Sequence, residues 1–537
     1  MTSDRSFQST TDHFLYFYQR KISRLISDQH VIMLTLTRFT RHTILIFFFV
    51  TLSFLFYHSY RNPSTQKGSG FLKSIPEILK PLTSPGKHPP PRYKPTPSWL
   101  PPPVSDPFPL LANTAADPPP IPQHNIPRPD VHKEYGLDRP PPLFIGFTRQ
   151  WPMLLQAVVS YITAGWPPDN IYVVENTGVH NMNKQGRLTL QNPFYLNHTT
   201  LHRLGVTVIQ TPVLLTFAQM QNFFLSIAYQ EDHPYYFYSH QDVLVFSFEE
   251  GLDLISRPAD GNWEFYSEAE KKEILSPVQA GKEGYRTIYE NCLRDLQTVI
   301  KRKERWGFRW YQYDHLTLVN REAMEAVGGW DSLIPYYATD CDMNGKMGMD
   351  GWTMKPRRVG IINDVSTVLE DLEVLYRNKY KMPKFIDPAP LPPEQEAKIA
   401  KAKAEKEEKE RKEKEKEGKA KREEHPIPAD QLQYFRVLRG VGDEMGKYKY
   451  RDGAEQRNNW QRSQRGGEGE PFYYNADGFH KAFWTLTDAG RRIYEEKWGH
   501  RGCDLASGTS LKLKDQWRVE KDWEKKKEDK KKEDKKA

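Results

Sequence analysis

Two acidic clusters carry the residue types that a metal-assisted group transfer needs. The first is His240-Gln241-Asp242, at the end of the run Tyr235-Tyr236-Phe237-Tyr238-Ser239. The second is Gly328-Gly329-Trp330-Asp331, followed by Tyr336-Tyr337-Ala338-Thr339-Asp340-Cys341-Asp342. A carboxylate at a strand end supplies the oxygen donor that Mg²⁺ and Mn²⁺ favour. A divalent ion held there neutralises charge on a departing diphosphate as a Lewis acid. Asp242 fits that position, although alone it reads equally well as a turn aspartate closing a strand. An attacking hydroxyl needs a general base, and a carboxylate within hydrogen-bond reach can serve. Asp340 and Asp342 are the candidates. In an extended segment they share a face; in a helix one alone reaches the site. Helix capping by Asp340 is compatible with either role. Gly328 and Gly329 permit a tight bend, Trp330 offers a flat apolar platform for a sugar face, and Asp331 opens the following loop.

The elements that must position these residues alternate in type. Leu143–Phe147 reads as a compact apolar strand, and Trp151–Ala164 has helical spacing that ends at Gly165. Strands follow at Ile171–Val174, Val206–Ile209 and Tyr235–Tyr238, with a helix over Phe217–Tyr229. Such alternation predicts an α/β fold with a doubly wound, mainly parallel sheet. Ligands in such sheets bind at the carboxyl ends of the strands. Arg149, Glu175, Asn176, His240, Gln241 and Asp242 all fall there.

Around this body the composition changes. Thr43–Tyr57 is an uncharged apolar run of fifteen residues, short against the ~20 of a full span, which flanking residues can accommodate. Residues 43–60 are expected to form a signal anchor after a cytosolic tail (1–42). The flanking charges are nearly balanced, so orientation follows from the functional reading, not from charge. Residues 61–141 are dense in proline and read as an extended stem. Residues 142–391 form the expected catalytic domain. A Lys/Glu/Ala tract (392–424) reads as a solvated helix or linker. Residues 425–510 are rich in aromatics, unlike a disordered segment, and are expected to complete the catalytic unit, with a helix over Thr485–Lys497. Residues 511–537 form a charged tail.

The formal charge, 77 − 69 = +8, comes largely from solvated lysine runs. Nucleic-acid binding would need basic residues interleaved with stacking aromatics on a folded face, and the runs lack that pattern. Three cysteines without a CxxC motif argue against structural zinc. A secretory lumen would allow one disulfide, with Cys292 and Cys503 as the favoured pair, though three thiols do not establish it. Asn197-His198-Thr199 is a glycosylation triplet.

The stretch Leu316–Met324 running into Val327-Gly328-Gly329-Trp330-Asp331 and then Thr339-Asp340-Cys341-Asp342 resembles the acceptor-side motif of GT-A fold glycosyltransferases. His240-Gln241-Asp242 looks like a variant of that fold's DxD motif. The likeness covers roughly residues 141–385 and is nearest to family-2-like, Golgi-type enzymes of fungi. It implies a Mn²⁺- or Mg²⁺-dependent, inverting transfer from a nucleotide-sugar to a hydroxyl of a glycan or glycoconjugate. Asp242 would be the metal ligand and Asp340 the base, with Asp342 supporting or replacing it. Arg149, Glu175, Asn176, His240 and Gln241 would line the nucleotide side, and Gly329, Trp330 and Asp331 the acceptor side. The protein would be a single-pass type II protein of the Golgi or ER membrane with a lumenal body. His240 replaces the first acidic residue of DxD, and the late metal-binding histidine has no clear counterpart: Asn363 and Asp364 stand near its place, with His500 a distant alternative. Two rival readings remain: a catalytically inactive GT-A-like relative that binds glycans or scaffolds other transferases, and a metal-dependent phosphoesterase, which would need a denser His/Asp cluster. Protein partners are not legible.

Overall fold

The computed structural model describes residues 90–93, 100, 102–112, 116–251, 277–388, 392–398, 400–401, 404–405, 430–450, 467, 469–472 and 475–524. The apolar run Thr43–Tyr57 and most of the Lys/Glu tract lie outside these residues. No helix among the described residues is long and apolar enough to cross a membrane. The chain divides into two units at Pro95/Thr96. Of the first, residues 90–93 are described, and they are exposed. The described strands and helices all belong to the second.

Nine strands position the site: β1 (Leu143–Phe147), β2 (Ile171–Glu175), β3 (Thr207–Gln210), β4 (Tyr235–Ser239), β5 (Val243–Phe246), β6 (Trp306–Tyr311), β7 (Leu316–Asn320), β8 (Thr353–Pro356) and β9 (Ile361–Asp364). Seven of them form one sheet in the order β3-β2-β1-β4-β7-β6-β8. β1, β2, β3, β4, β6 and β8 run one way, and β7 alone runs against them. The mainly parallel α/β sheet expected from the sequence is therefore present, with one reversed strand. β5 and β9 pair antiparallel outside it, matching Val243 with Asp364.

Seven helices matter here: α1 (Trp151–Thr163), α2 (Phe217–Gln230), α3 (Ile288–Lys301), α4 (Arg321–Ala326), α5 (Thr339–Met349), α6 (Gln431–Tyr450) and α7 (Ala476–Trp498). Successive strand residues face opposite sides of a sheet, and both sides are covered. Leu143, Ile145, Phe147 and Phe237 pack with α1 and α3. Phe144, Val174, Tyr236 and Tyr238 pack with α2, α4 and α5. This explains why the strands read as continuous apolar runs rather than alternating ones. Capping boxes start α2 at Thr216 and α3 at Thr287, each satisfying two backbone donors that the first turn leaves open.

Three expectations change. Residues 102–112 and 116–141, read as stem, lie against the body: Phe108 and Leu111 are buried in the main core, and Arg203 Nη1 donates to Leu111 O at 2.7 Å. Apolar residues set between the prolines, Val131 and Leu137 among them, anchor this part. The helix expected over Thr485–Lys497 runs from Ala476 to Trp498 and is capped by Asn475, so Thr485 is interior to it. The disulfide joins Cys341 to Cys503, while Cys292 is a buried free thiol. Cys292 faces the core from α3, whereas Cys341 stands in the first turn of α5, beside the segment that follows α7. Cys341→Ser should lower stability by about 2–4 kcal/mol in denaturant titration. Unchanged stability in the absence of reductant would show that the bond does not form.

Candidate functional site

A cavity of about 380 Å³ opens at the carboxyl ends of β1 and β4. His240, Gln241, Asp242 and Asp340 all line it, so the two acidic clusters meet in one cleft. A larger groove of about 760 Å³ lies elsewhere, lined by Pro142, Asn170 and His233. These residues precede β1, β2 and β4, at the ends of the strands opposite to where such sheets bind ligands.

Each wall has a local cause. β4 ends at Ser239, whose hydroxyl accepts from Tyr161 at 2.8 Å and donates to the carbonyls of His240 and His315. The chain then turns so that Asp242 precedes β5. The Val365 N–H donates to Asp242 O at 2.9 Å, which brings Asp364, the last residue of β9, alongside. Gly146 of β1 lets α2 approach closely, since a Cβ there would lie 2.5 Å from Met220 Sδ.

The β6–β7 hairpin supplies what sequence reading missed. Its turn holds Gln312 at φ 61° and Tyr313 at φ 56°, a left-handed conformation uncommon without glycine or asparagine. Tyr313, Asp314 and His315 thereby reach the cavity. Strain of this kind collects at functional sites. Tyr313 Oη donates to Asp340 Oδ2 at 3.2 Å. Burial, reinforced by the charges of Asp340 and Asp314, pushes the Tyr313 phenol above its ordinary range, so it remains a donor.

His240, Asp314 and His315 offer ligand atoms that lie within 4.8 Å of one another. His315 Nδ1 is 2.7 Å from Gln312 O. Nδ1 donates to that carbonyl, which leaves Nε2 as the ring nitrogen open to other partners, as in histidines that bind metals. His315 Nε2 lies 3.5 Å from Asp364 Oδ2. His240 lies between Asp314, 3.5 Å from its Nε2, and Asp242, 3.9 Å from its Nδ1. Burial works against a charge on His240, but Asp314, Asp242 and Asp364 outweigh it and raise the imidazole to about 9. His240 Nε2 and Asp242 Oδ1 are buried and make no hydrogen bond among the described residues. The converging ligand atoms of His240, Asp314 and His315 fit a divalent cation, which would displace the proton that His240 otherwise carries, and Asp242 Oδ1 stands beside His240 with no hydrogen bond of its own among the described residues. Two imidazoles among the donors favour Mn²⁺ over Mg²⁺.

α6 closes another side. Lys449 Nζ lies 2.8 Å from Asp242 Oδ2 and 2.5 Å from Asp364 Oδ1; Lys449 and Asp242 are buried and Asp364 is partly so. Tyr450 Oη also bonds Asp364. Burial opposes ionisation of Asp364, yet His315 and Lys449 hold its carboxyl well below the usual range. Beside Asp340 stand Tyr336, Tyr337 and Phe483. Tyr336 and Phe483 have centroids 4.6 Å apart, and Tyr337 stacks on Trp484 at 6.1 Å.

The remaining expected residues do not line the cavity. α5 begins at Thr339, so Asp340 and Asp342 point differently. Asp342 is fully buried, accepting from Trp498 Nε1 at 2.8 Å and pairing with Lys497 at 2.7 Å. Lys497 also binds Asp331 at 2.8 Å, so one ammonium ties both carboxylates into the structure. Burial works against the charge on Asp331, but Lys497 keeps its carboxyl below the ordinary value. Gly329 has φ 68°, and its carbonyl accepts from Lys346 at 2.5 Å. Trp330 is a core residue, 6% exposed, against Phe217 and Phe308, so its faces are covered and it is not a sugar platform. Trp330→Ala should destabilise the fold by about 3–5 kcal/mol, read by denaturant titration. A small stability cost with a large rise in acceptor KM would restore the platform role.

Glu175 is fully buried. It accepts from His198 at 2.8 Å, Asn183 at 2.8 Å and Gln210 at 3.0 Å. Burial opposes its ionisation, but these bonds hold the carboxyl below its usual value. Asn176 is spent on Leu215, donating to its carbonyl at 2.8 Å and accepting from its amide at 2.6 Å. Arg149 is buried with its guanidinium 4.6 Å from the Phe479 ring centroid. Gln241 donates to Arg149 O at 2.6 Å, its amide thereby bracing the cavity wall. His500 bonds Asp504 and Asp522 and lies outside the cavity lining. Asn197 caps a short helix, accepting from the Thr200 amide at 3.0 Å.

No family profile and no curated protein matches this chain. Among solved structures, it is similar to the mannosyltransferase PcManGT from Pyrobaculum calidifontis in complex with GDP-Man and Mn²⁺, at 11% identity and a TM-score of 0.25. That match covers 42% of this chain and 60% of the other, so the chain spans less than two thirds of its length. A cytidylyltransferase from Leptospira borgpetersenii serovar Hardjo-bovis is similar at 8% identity and a TM-score of 0.23, over 41% of this chain and 76% of that one. Likeness at this level assigns neither activity nor ligand.

Proposed function

We propose that the protein is a divalent-metal-dependent glycosyltransferase, moving a sugar from a nucleotide-diphosphate donor to a hydroxyl of a glycan or glycoconjugate with inversion. One observation carries the reading: Asp242 and Asp340, remote in sequence, line a single cavity with His240, Asp314 and His315. Charge supports it. The lining carries the carboxylates of Asp242, Asp314, Asp340 and Asp364 against the single ammonium of Lys449. A diphosphate entering so acidic a cleft needs a further cation. His240, Asp314 and His315, with Asp242, would hold that ion. Once bound, it would polarise the donor's phosphate oxygens and stabilise the departing diphosphate.

The chain's own groups do the rest. Asp340, oriented by Tyr313, takes the proton from the acceptor hydroxyl. Tyr336, Tyr337 and Phe483 give the acceptor an apolar wall beside that base and exclude water. An anchor at residues 43–60 and a lumenal body belong to the same proposal. The Cys341–Cys503 bond supports it, since disulfides persist in oxidising compartments. Incubating the full chain with a panel of nucleotide-sugars tests the activity. Release of nucleoside diphosphate with Mn²⁺, abolished by EDTA, is expected. A second reading, an inactive glycan-binding relative, is favoured by Lys449 filling the space between Asp242 and Asp364. Donor binding without release of product under any condition would select it.

A further inference from the structure

Lys449 occupies an unusual place. Its ammonium is buried between two carboxylates on neighbouring strands, Asp242 before β5 and Asp364 at the end of β9. A buried ammonium with two carboxylates is the arrangement a divalent ion would otherwise adopt there, because each carboxylate keeps further oxygen capacity. Asp242 Oδ1 remains without a hydrogen bond, so Lys449 does not satisfy the site. Lys449 is also the sole lysine or arginine among the described residues lining the cavity. A diphosphate bound through one divalent ion keeps excess negative charge on its outer oxygens. Charge-assisted bonds to such oxygens are the strong ones, and Lys449 is the lining group placed to make them.

We propose that Lys449 is an exchangeable cation of this site. It bridges Asp242 and Asp364 until a divalent ion takes Asp242, and it then binds the donor's diphosphate. This rests on the metal-dependent reading above. The ion and the ammonium compete for the same carboxylate, so their occupancies are linked by mass action. The nucleotide's affinity in turn depends on the ammonium that the ion has released. The last turn of α6 thus contributes directly to donor binding, although its residues follow the charged tract and lie far in sequence from both acidic clusters.

The test uses the full chain, Lys449→Gln and Lys449→Arg, with Mn²⁺ binding followed by calorimetry and by thermal shift, and GDP and UDP as nucleotide probes. Lys449→Gln should bind Mn²⁺ alone at least about tenfold more tightly than the parent, and Mn²⁺ should raise its melting temperature more. At saturating Mn²⁺ it should bind the preferred diphosphate at least about tenfold more weakly. Lys449→Arg should restore much of that loss, since it keeps the charge. Should Lys449→Gln fold only with Mn²⁺ present, unfolding on EDTA supports the exchange equally. Equal Mn²⁺ affinity in parent and Lys449→Gln overturns the exchange alone. Unchanged diphosphate affinity overturns the phosphate role. Absence of Mn²⁺ binding in every protein overturns the metal-dependent reading itself, and this inference with it.

Discussion

Asp340→Asn is expected to lower sugar transfer by about 10²–10⁴-fold, the usual share of a general base, while donor and Mn²⁺ affinities stay near the parent's. The expectation follows from geometry. α5 starts at Thr339, so Asp340 stands in its first turn with its carboxylate on the cavity and Tyr313 Oη donating to it at 3.2 Å. Asparagine keeps the volume and the bond to Tyr313 but cannot accept a proton. The loss should therefore appear in kcat, with KM for the donor little changed. Asp342→Asn makes the contrast. That carboxylate is tied to Lys497 and Trp498, and removing one partner of a buried pair costs about 3–5 kcal/mol. Its signature should be a lower melting temperature, not a selective loss of turnover. If Asp340→Asn transferred sugar at the parent's rate, Asp340 would not be the base.

Asp242→Asn should weaken Mn²⁺ binding by more than about 10²-fold, since losing even an outer-shell partner of a metal costs 10–100-fold. Transfer should fall by about 10³-fold or more, because metal charge stabilisation is worth several kcal/mol and each 1.36 kcal/mol is tenfold. The observation behind this is the orphaned Oδ1 of Asp242, 3.9 Å from Nδ1 of His240, which itself belongs to the cluster with Asp314 and His315. The variant also leaves Lys449 with one carboxylate, so its melting temperature must be measured alongside. Metal binding at the parent's affinity in a folded Asp242→Asn protein would remove Asp242 from the ligand set.

The sheet is legible in the sequence because its strands announce themselves. β1, β2 and β4 are short apolar or aromatic runs that end in polar residues, and α1 and α2 have clear helical spacing. The same runs mark the strand ends, hence His240, Gln241 and Asp242. Other site residues are hidden for specific reasons. Tyr313, Asp314 and His315 arrive on a hairpin whose left-handed positions are filled by Gln312 and Tyr313, without the Asn-Gly or Asp-Gly signal that marks such turns. Lys449 and Tyr450 come from a helix beyond a charged tract, where no local pattern links them to β5 and β9. Their one signal is the unexpected aromatic content after that tract.

The misplacements share a cause. Glu175 and Asn176 do end β2, but spacing cannot distinguish a strand-end carboxylate facing the cleft from one that binds loops, and Glu175 satisfies His198, Asn183 and Gln210 instead. Trp330 and Asp331 belong to a motif with a tight bend, and the bend turns the indole into the core. Asp364, a candidate by position alone, does line the cavity. The neighbours of Cys341 suggest chemistry rather than a crosslink, yet its place in the first turn of α5 sets it beside Cys503.

Anomalous scattering from crystals of the full chain grown with Mn²⁺ and a nucleoside diphosphate tests the central claim most directly. The account predicts a manganese peak inside the cavity, within about 2.0–2.4 Å of donor atoms from His240, Asp314 or His315 and of Asp242, with the diphosphate on its open side and Asp340 facing the same space. A peak on any other part of the molecule, or ordered nucleotide in the cavity with no manganese beside Asp242, would contradict it.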